Sequence, residues 1–136
     1  MTKSSQTAPL ILVVDDDEAV LEALADFLAV TGYRVAAARN GRQALDYLHK
    51  NPPPALVVHD LVMPVMDGWR LRKEMKQDAA MARLPVVVIS ALADHTDIQA
   101  DAVLVKPFNI EQFLRIVERL THPPDDASIC SGGDPG

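Results

Sequence analysis

Residues 55–68 read ALVVHDLVMPVMDG, and the rest of the chain can be assembled around them. The first half is apolar and β-branched, follows three prolines and ends at Asp60, which predicts a buried strand with a carboxylate at its tip. In open parallel α/β sheets ligands bind at the carboxyl ends of the strands, so Asp60 is well placed for chemistry. Pro64 restricts Met63 to extended backbone, and Gly68 can adopt dihedrals closed to other residues, so a loop of fixed shape is predicted. Taken alone, the stretch is explained equally well by a solvated Asp at an ordinary strand end.

Other runs of strand length also end in polar or charged residues. Residues 10–14 (LILVV) precede four acidic residues, 85–89 (PVVVI) precede Ser90, and 103–105 (VLV) precede Lys106. A run that is apolar at every position indicates burial on both faces and therefore a strand inside a parallel sheet. Residues 33–38 are less apolar, as an edge or near-edge strand would be.

Segments with helical spacing of apolar residues separate the strands. Helices are predicted over residues 19–30, 42–50, 69–77 and 110–120, with Gly32 ending the first and Asn109 capping the last. The polar remainder of the third is interpreted as a solvated face. Alternating strands and helices predict an α/β, doubly wound domain with a five-stranded parallel sheet, whose strand tips all lie on one edge.

The acidic residues 15–18 form the second unusual feature. Neighbouring carboxylates repel one another by on the order of 1 kcal/mol per close pair in water, and by more where solvent is partly excluded. Asp16 or Asp17 could cap the following helix, which accounts for one or two of these acids but not for all four. A divalent cation held by the inner carboxylates would relieve the repulsion, and oxygen ligands suit Mg²⁺.

Composition bounds the remaining classes of function. The chain has 136 residues and a net charge of −6, which predicts one folded domain and no direct nucleic-acid binding. The single cysteine, Cys130, excludes a disulfide framework, and His59 fits a packed or partly exposed strand histidine better than a metal ligand. Neither a membrane-spanning run nor a signal peptide is found, so the predicted location is cytoplasmic.

The four strand tips together suggest phosphoryl transfer to Asp60. That reaction needs an aligned nucleophile, a metal, and donors or cations for the phosphoryl oxygens. Asp15 and Asp16 would hold Mg²⁺ together with Asp60 and a loop carbonyl. Ser90 would donate its hydroxyl to one phosphoryl oxygen, and Lys106 would supply a positive charge to another.

This set closely resembles the receiver domain of two-component response regulators. The matching motifs are VVDDDE (13–18), HDLVMPVMDG (59–68), ISA (89–91) and VKPF (105–108), within a resemblance that covers residues 9–121. It implies that Asp60 is the phospho-acceptor and that Asp15, Asp16, Asp60 and the carbonyl of Val62 bind Mg²⁺. It also implies that Ser90 is the family's switch Ser/Thr and that Lys106 is the family's active-site lysine.

The resemblance also implies a flavodoxin-like (CheY-like) strand order, 2-1-3-4-5, and a cis bond between Lys106 and Pro107. The chain would be a single-domain receiver, with a flexible N-terminus (1–8) and a disordered tail (122–136). It would accept phosphate from a histidine kinase or histidine phosphotransfer protein and catalyse only its own phosphorylation and dephosphorylation. It would signal by contact with a separate effector or in a phosphorelay. Whether the phosphorylated form is a homodimer is left open.

Three departures from the family pattern lead to further expectations. Lys106 follows Ser90 by only 16 positions, so the fourth helix of the family is predicted to be short or irregular within residues 92–102. Val103 stands where the family often has an aromatic switch residue. Val62 and Leu92, which flank the position of the hydrolytic water, are apolar and predict slow loss of the phosphoryl group.

Two alternatives remain. A haloacid-dehalogenase-type phosphatase also uses a strand-tip Asp, Mg²⁺, a Ser/Thr and a Lys, but it resembles DxDx(T/V) and would need an acid where Val62 stands. A phosphorylation-independent binding module could keep the receiver scaffold, and the altered region before Val103 is the feature that favours it.

Overall fold

A computed structural model describes residues 8–61, 65–91 and 100–121. The strands in these ranges are β1 (Leu10–Val14), β2 (Arg34–Ala38), β3 (Leu56–Asp60), β4 (Val86–Ser90) and β5 (Ala102–Val105). The helices are α1 (Glu18–Val30), α2 (Gly41–Lys50), α3 (Gly68–Lys76) and α4 (Ile110–Thr121). Each of the strands and helices predicted in these ranges is present, with ends displaced by no more than a residue.

All neighbouring strands pair in parallel, in the order β2-β1-β3-β4-β5, which confirms the predicted doubly wound sheet. The register aligns the carboxyl ends of the strands: Asp60 lies opposite Ile89, and Ser90 opposite Val105. Residues that are far apart in sequence therefore meet at one edge of the sheet. This edge carries the predicted site.

The helices cover the two faces of the sheet in pairs, and each face has its own core. On one face, Leu21, Leu24 and Leu28 of α1 pack with Phe113 and Val117 of α4 against the sheet. On the other face, side chains of α2 and α3 pack against the sheet: Ala44, Leu45, Leu48, Leu71 and Met75. The central strands β1, β3 and β4 are buried on both sides because both faces are covered.

Side-chain caps fix where the helices begin. Asp17 accepts hydrogen bonds from the N–H groups of Ala19 and Val20, and so is the N-cap of α1. Asn109 accepts one from the N–H of Gln112 at 2.7 Å at the start of α4, as predicted. Gly32, at φ +102°, follows the last turn of α1, where that backbone conformation favours glycine.

Two predictions about α3 are wrong. Among the described glycines only Gly32 has a positive φ, so Gly68 is not required for unusual dihedrals. A Cβ at position 68 would instead lie 2.6 Å from the carbonyl oxygen of Asp60, and close packing is what requires glycine there. The polar remainder of α3 is also not all solvated, because Arg72 is only 8% exposed.

Some predictions concern residues that lie outside the described ranges. These are the ends of the chain at 1–7 and 122–136, with Cys130, and residues 62–64 and 92–99, which include Val62, Leu92 and most of the segment predicted to hold a short helix. In the part of the chain that is described, no helix combines the length and the apolar character needed to cross a bilayer.

Candidate functional site

The edge formed by the carboxyl ends of the strands brings three carboxylates together. One oxygen each of Asp15, Asp16 and Asp60 can be chosen such that all three lie within 4.8 Å of one another. Asp15 and Asp16 come directly after β1, and Asp60 ends the adjacent strand β3. Asp15 and Asp60 are buried, whereas Asp16 is exposed. Oxygen ligands at this separation fit a small divalent cation such as Mg²⁺.

Both carboxylate oxygens of Asp60 accept hydrogen bonds. The N–H of Leu61 donates to Oδ1 at 2.7 Å. The Nζ of Lys106 donates to Oδ2 at 3.0 Å. Only 8% of Asp60 is exposed, so the carboxylate sits in a nearly enclosed position with a fixed orientation.

Asp15 is more deeply buried, at 1% exposure, and its surroundings are less favourable to charge. Burial raises the pKa of its carboxyl group above the usual value, although the N–H of Asp17, which donates to Oδ1 at 2.9 Å, acts in the opposite direction. The negative charge of Asp60 raises the pKa further. A cation at this edge would therefore stabilise the ionised form of Asp15.

Lys106 follows β5 and supplies positive charge to the cluster. Burial by itself would lower the pKa of this amine, but the hydrogen bond to Asp60 and the charges of Asp60, Asp15 and Asp17 outweigh it and raise the pKa. The amine is therefore positively charged at neutral pH. The peptide bond between Lys106 and Pro107 is cis, as the resemblance implied.

Ser90 is fully buried at the end of β4, one position beyond Ile89, the register partner of Asp60. Its carbonyl oxygen accepts a hydrogen bond from the N–H of Lys106 at 2.8 Å. The structure thus brings Asp15, Asp16, Asp60, Ser90 and Lys106 to one edge of the sheet. Val62, the remaining predicted ligand, falls outside the described residues.

His59 is the residue at this edge whose burial the sequence interpretation understated. It is fully buried on the side of β3 that faces the start of α3, and its Nδ1 lies 2.9 Å from the carbonyl oxygen of Asp60. Burial lowers the pKa of the ring to about 4; the nearby charge of Arg72 lowers it too, and the contact with Asp60 opposes both. One signal was available: a strand interpreted as buried on both faces leaves no exposed side for His59.

The loop between β3 and α3 adds a second unpredicted feature. Val65 has φ +69° and is 79% exposed, an unusual combination for a β-branched residue. Next to it, the carbonyl oxygen of Met66 accepts a hydrogen bond from the N–H of Gly41 at 3.2 Å, which ties the loop to the start of α2.

Comparisons with known proteins agree on the family. Residues 11–118 match the response regulator receiver domain. The chain is 39% identical over 126 residues to the response regulator MprA of Mycobacterium avium (strain 104), covering 86% of this chain and 54% of that protein. It is 38% identical over 117 residues to the response regulator Rre1 of a Synechocystis species, covering 81% and 50% respectively. The chain therefore spans about half the length of the curated relatives it matches.

Solved structures give the same result. A putative response regulator from Chloroflexus aurantiacus superposes with a TM-score of 0.78 at 30% identity, covering 84% of this chain and 98% of that one. The response regulator TrrA from Thermotoga maritima, solved in complex with Mg²⁺ and BeF, superposes with a TM-score of 0.75 at 28% identity, covering 82% and 98%.

Proposed function

The chain belongs to the response regulator receiver domain family of two-component signalling, and from this premise we propose that Asp60 accepts a phosphoryl group in an Mg²⁺-dependent reaction. The observation that carries the proposal is the contact of Asp60 Oδ2 with Lys106 Nζ at 3.0 Å, beside the carboxylates of Asp15 and Asp16. Nucleophile, cation and metal ligands, the components that phosphoryl transfer requires, lie at one edge of the sheet.

In this proposal, Asp60 attacks the phosphorus atom of a phosphohistidine. A P–O bond to the carboxylate forms as the P–N bond to the histidine breaks. Lys106 moves its hydrogen bond from Asp60 to a phosphoryl oxygen, and the Ser90 hydroxyl donates to a second. Asp15, Asp16, Asp60 and the carbonyl of Val62 would hold Mg²⁺, which would neutralise charge on the phosphoryl oxygens.

Two observations support the fit of the metal. Asp15 is buried beside the carboxylate of Asp60, and burial first and the charge of Asp60 second raise its pKa, so a cation held there would favour the ionised carboxyl group. The response regulator TrrA from Thermotoga maritima was solved in complex with Mg²⁺ and BeF.

The phosphoryl donor in this proposal is a histidine kinase or histidine phosphotransfer protein. The output is a contact with a separate protein effector or with the next member of a phosphorelay. Val103 is half-buried against the core of the α2 and α3 face and has no ring to rotate, so this output would proceed without an aromatic switch.

The test is the intact mass of the protein after incubation with acetyl phosphate, with and without Mg²⁺. A gain of about 80 Da, the mass of one phosphoryl group, is expected for wild type only when Mg²⁺ is present, and it should be absent in Asp60→Asn. Asp46→Asn makes the same chemical change on the exposed side of α2 and should be labelled like wild type. Labelling of Asp60→Asn would remove Asp60 from the acceptor role.

Absence of labelling in wild type would instead favour the phosphorylation-independent binding module. Where labelling occurs, its decay tests the further proposal that Val62 and Leu92 leave the hydrolytic water without a polar partner. The phosphorylated form should then persist for minutes or longer, and a half-life of seconds would contradict this part of the proposal.

A further inference from the structure

We propose that His59 is a positioning residue for the phospho-acceptor, and that its ring orients the Asp60 carboxylate through the peptide bond that follows Asp60. The inference rests on the proposed function of Asp60 and assigns a role to a neighbouring side chain that neither donates nor accepts the phosphoryl group.

The hydrogen bond between the ring and the backbone is the first observation. His59 Nδ1 lies 2.9 Å from the carbonyl oxygen of Asp60. A carbonyl oxygen has no hydrogen to donate, so Nδ1 must carry the hydrogen whatever the charge of the ring. His59 therefore donates to the last carbonyl group of β3.

The second observation is what lies at the other end of the same peptide group. The carbonyl of Asp60 and the N–H of Leu61 belong to one planar unit, so fixing the direction of the carbonyl also fixes that of the N–H. The N–H donates to Asp60 Oδ1 at 2.7 Å and also to the carbonyl oxygen of Ile89 on β4 at 3.2 Å. Ring and carboxylate are thus attached to opposite ends of one rigid group.

The third observation is that the carbonyl is confined on the side of α3. A Cβ added at Gly68 would lie 2.6 Å from the Asp60 oxygen and 3.0 Å from His59 Nδ1. The N–H of Gly68 also donates to the carbonyl oxygen of Leu61 at 2.7 Å. The ring, the start of α3 and the hydrogen bond from Leu61 to Ile89 together leave this peptide little room to rotate.

A role as core filler would lead to a different ranking of variants. His59→Leu keeps an apolar side chain of similar size without a donor, and His59→Asn is smaller but keeps an N–H donor where Nδ1 lies. If the ring only filled space, Leu would be the better substitute in every assay. For a positioning role, Leu is the better substitute for stability and Asn is the better one for phosphorylation.

The experiment compares labelling rate with stability in the full chain. For wild type, His59→Asn and His59→Leu, we would measure the rate of acetyl phosphate labelling at saturating Mg²⁺ as a function of acetyl phosphate concentration, and unfolding by urea. The maximal rate of His59→Leu should fall by about tenfold or more, with a smaller change in KM, because the loss is one of orientation. His59→Asn should stay within about threefold of wild type.

Two controls separate positioning from general damage. Met75→Leu is a buried, nearly volume-conserving change on the same face and should leave the labelling rate unchanged. His59→Gln carries its amide one bond further out, near the position of Nε2, and should label as slowly as His59→Leu. If His59→Leu does not fold, the comparison of Asn with Gln decides the question.

A readout without phosphorylation is the amide proton resonance of Leu61 in metal-free protein. The short bond to a carboxylate should place it far downfield in wild type and His59→Asn, and it should move upfield in His59→Leu. Wild-type labelling rates in His59→Leu with an unmoved Leu61 resonance would overturn the inference and leave the proposed function intact. No labelling of wild type would overturn both.

Discussion

The two faces of the sheet differ in what they bury. The face covered by α1 and α4 has a core of hydrocarbon side chains. The face covered by α2 and α3 has a similar core but also encloses the His59 ring and most of Arg72. Burying polar groups costs free energy that burying hydrocarbon does not. Since the His59 ring contacts the backbone of Asp60, the second face borders the candidate site as well as stabilising the domain.

The largest effect on stability should come from a cavity in the core between the sheet and helices α1 and α4. Phe113 of α4 is completely buried, and Phe113→Ala should lower the free energy of unfolding by about 3–5 kcal/mol through lost burial and the cavity left behind. Unfolding by urea measures the change. Phe27→Ala on α1, where the ring is 45% exposed, is the control and should cost about 1 kcal/mol or less. Equal costs at both positions would contradict this account of the core.

The second prediction concerns the polar face and pH. The pKa of His59 is about 4 in the folded protein and 6.5 in the reference state, so the unfolded chain binds more protons between these values. The free energy of unfolding is therefore not reduced by His59 above pH 6.5, and it decreases as the pH falls from 6.5 towards 4, because protonation of His59 favours the unfolded chain. Relative to His59→Asn, wild type should lose on the order of 3 kcal/mol between pH 7 and pH 4.

Urea unfolding of both proteins in EDTA, across this pH range, tests the prediction. Asp15 acts in the opposite direction, because its raised pKa favours protonation of the folded state as pH falls. The difference between the two proteins removes that contribution. Parallel stability curves for wild type and His59→Asn would show that the buried ring does not respond to pH as its surroundings require.

The smallest effect should come from the loop on the polar face. Val65→Gly removes the strain of a β-branched residue in a left-handed conformation, which is about 1–2 kcal/mol. The greater conformational entropy of glycine in the unfolded chain offsets part of this gain. A net stabilisation of about 0.5–1 kcal/mol is expected in thermal or urea unfolding. Val30→Gly is the matched control, because Val30 is also exposed but ends α1, and it should destabilise. Destabilisation by both changes would contradict the strain at Val65.

Much of the fold could be predicted because its signals are local. Continuous apolar runs gave the central strands, and capping side chains such as Asn109 gave helix ends to within a residue. The parallel sheet then requires that Asp15, Asp60, Ser90 and Lys106 meet at one edge. The order of the strands came from the family resemblance, since spacing alone does not say which strands are neighbours.

What could not be predicted depends on contacts between elements. The burial of Arg72 is decided by how α3 is rotated against β3, and a polar residue on a helix with few apolar positions gives no sign of it. The sequence suggested that Gly68 is needed for unusual backbone dihedrals, because it cannot show how closely the Asp60 carbonyl approaches this position. The left-handed backbone of Val65 could not be predicted, because valine is among the residues least suited to a positive φ and its presence argues against that conformation.

The contact between Lys106 and Asp60 joins residues 46 positions apart, and β5 leaves the ribosome after each of the other strands that the structure describes. A growing chain that has exposed Asp15, Asp16 and Asp60 therefore holds three mutually repelling carboxylates without the amine that pairs with Asp60. On the proposal that Asp60 is the phospho-acceptor, its reactivity towards a phosphoryl donor should appear only after β5 has joined the sheet. On the proposed function, chains that stop before Lys106 should therefore not be labelled at Asp60.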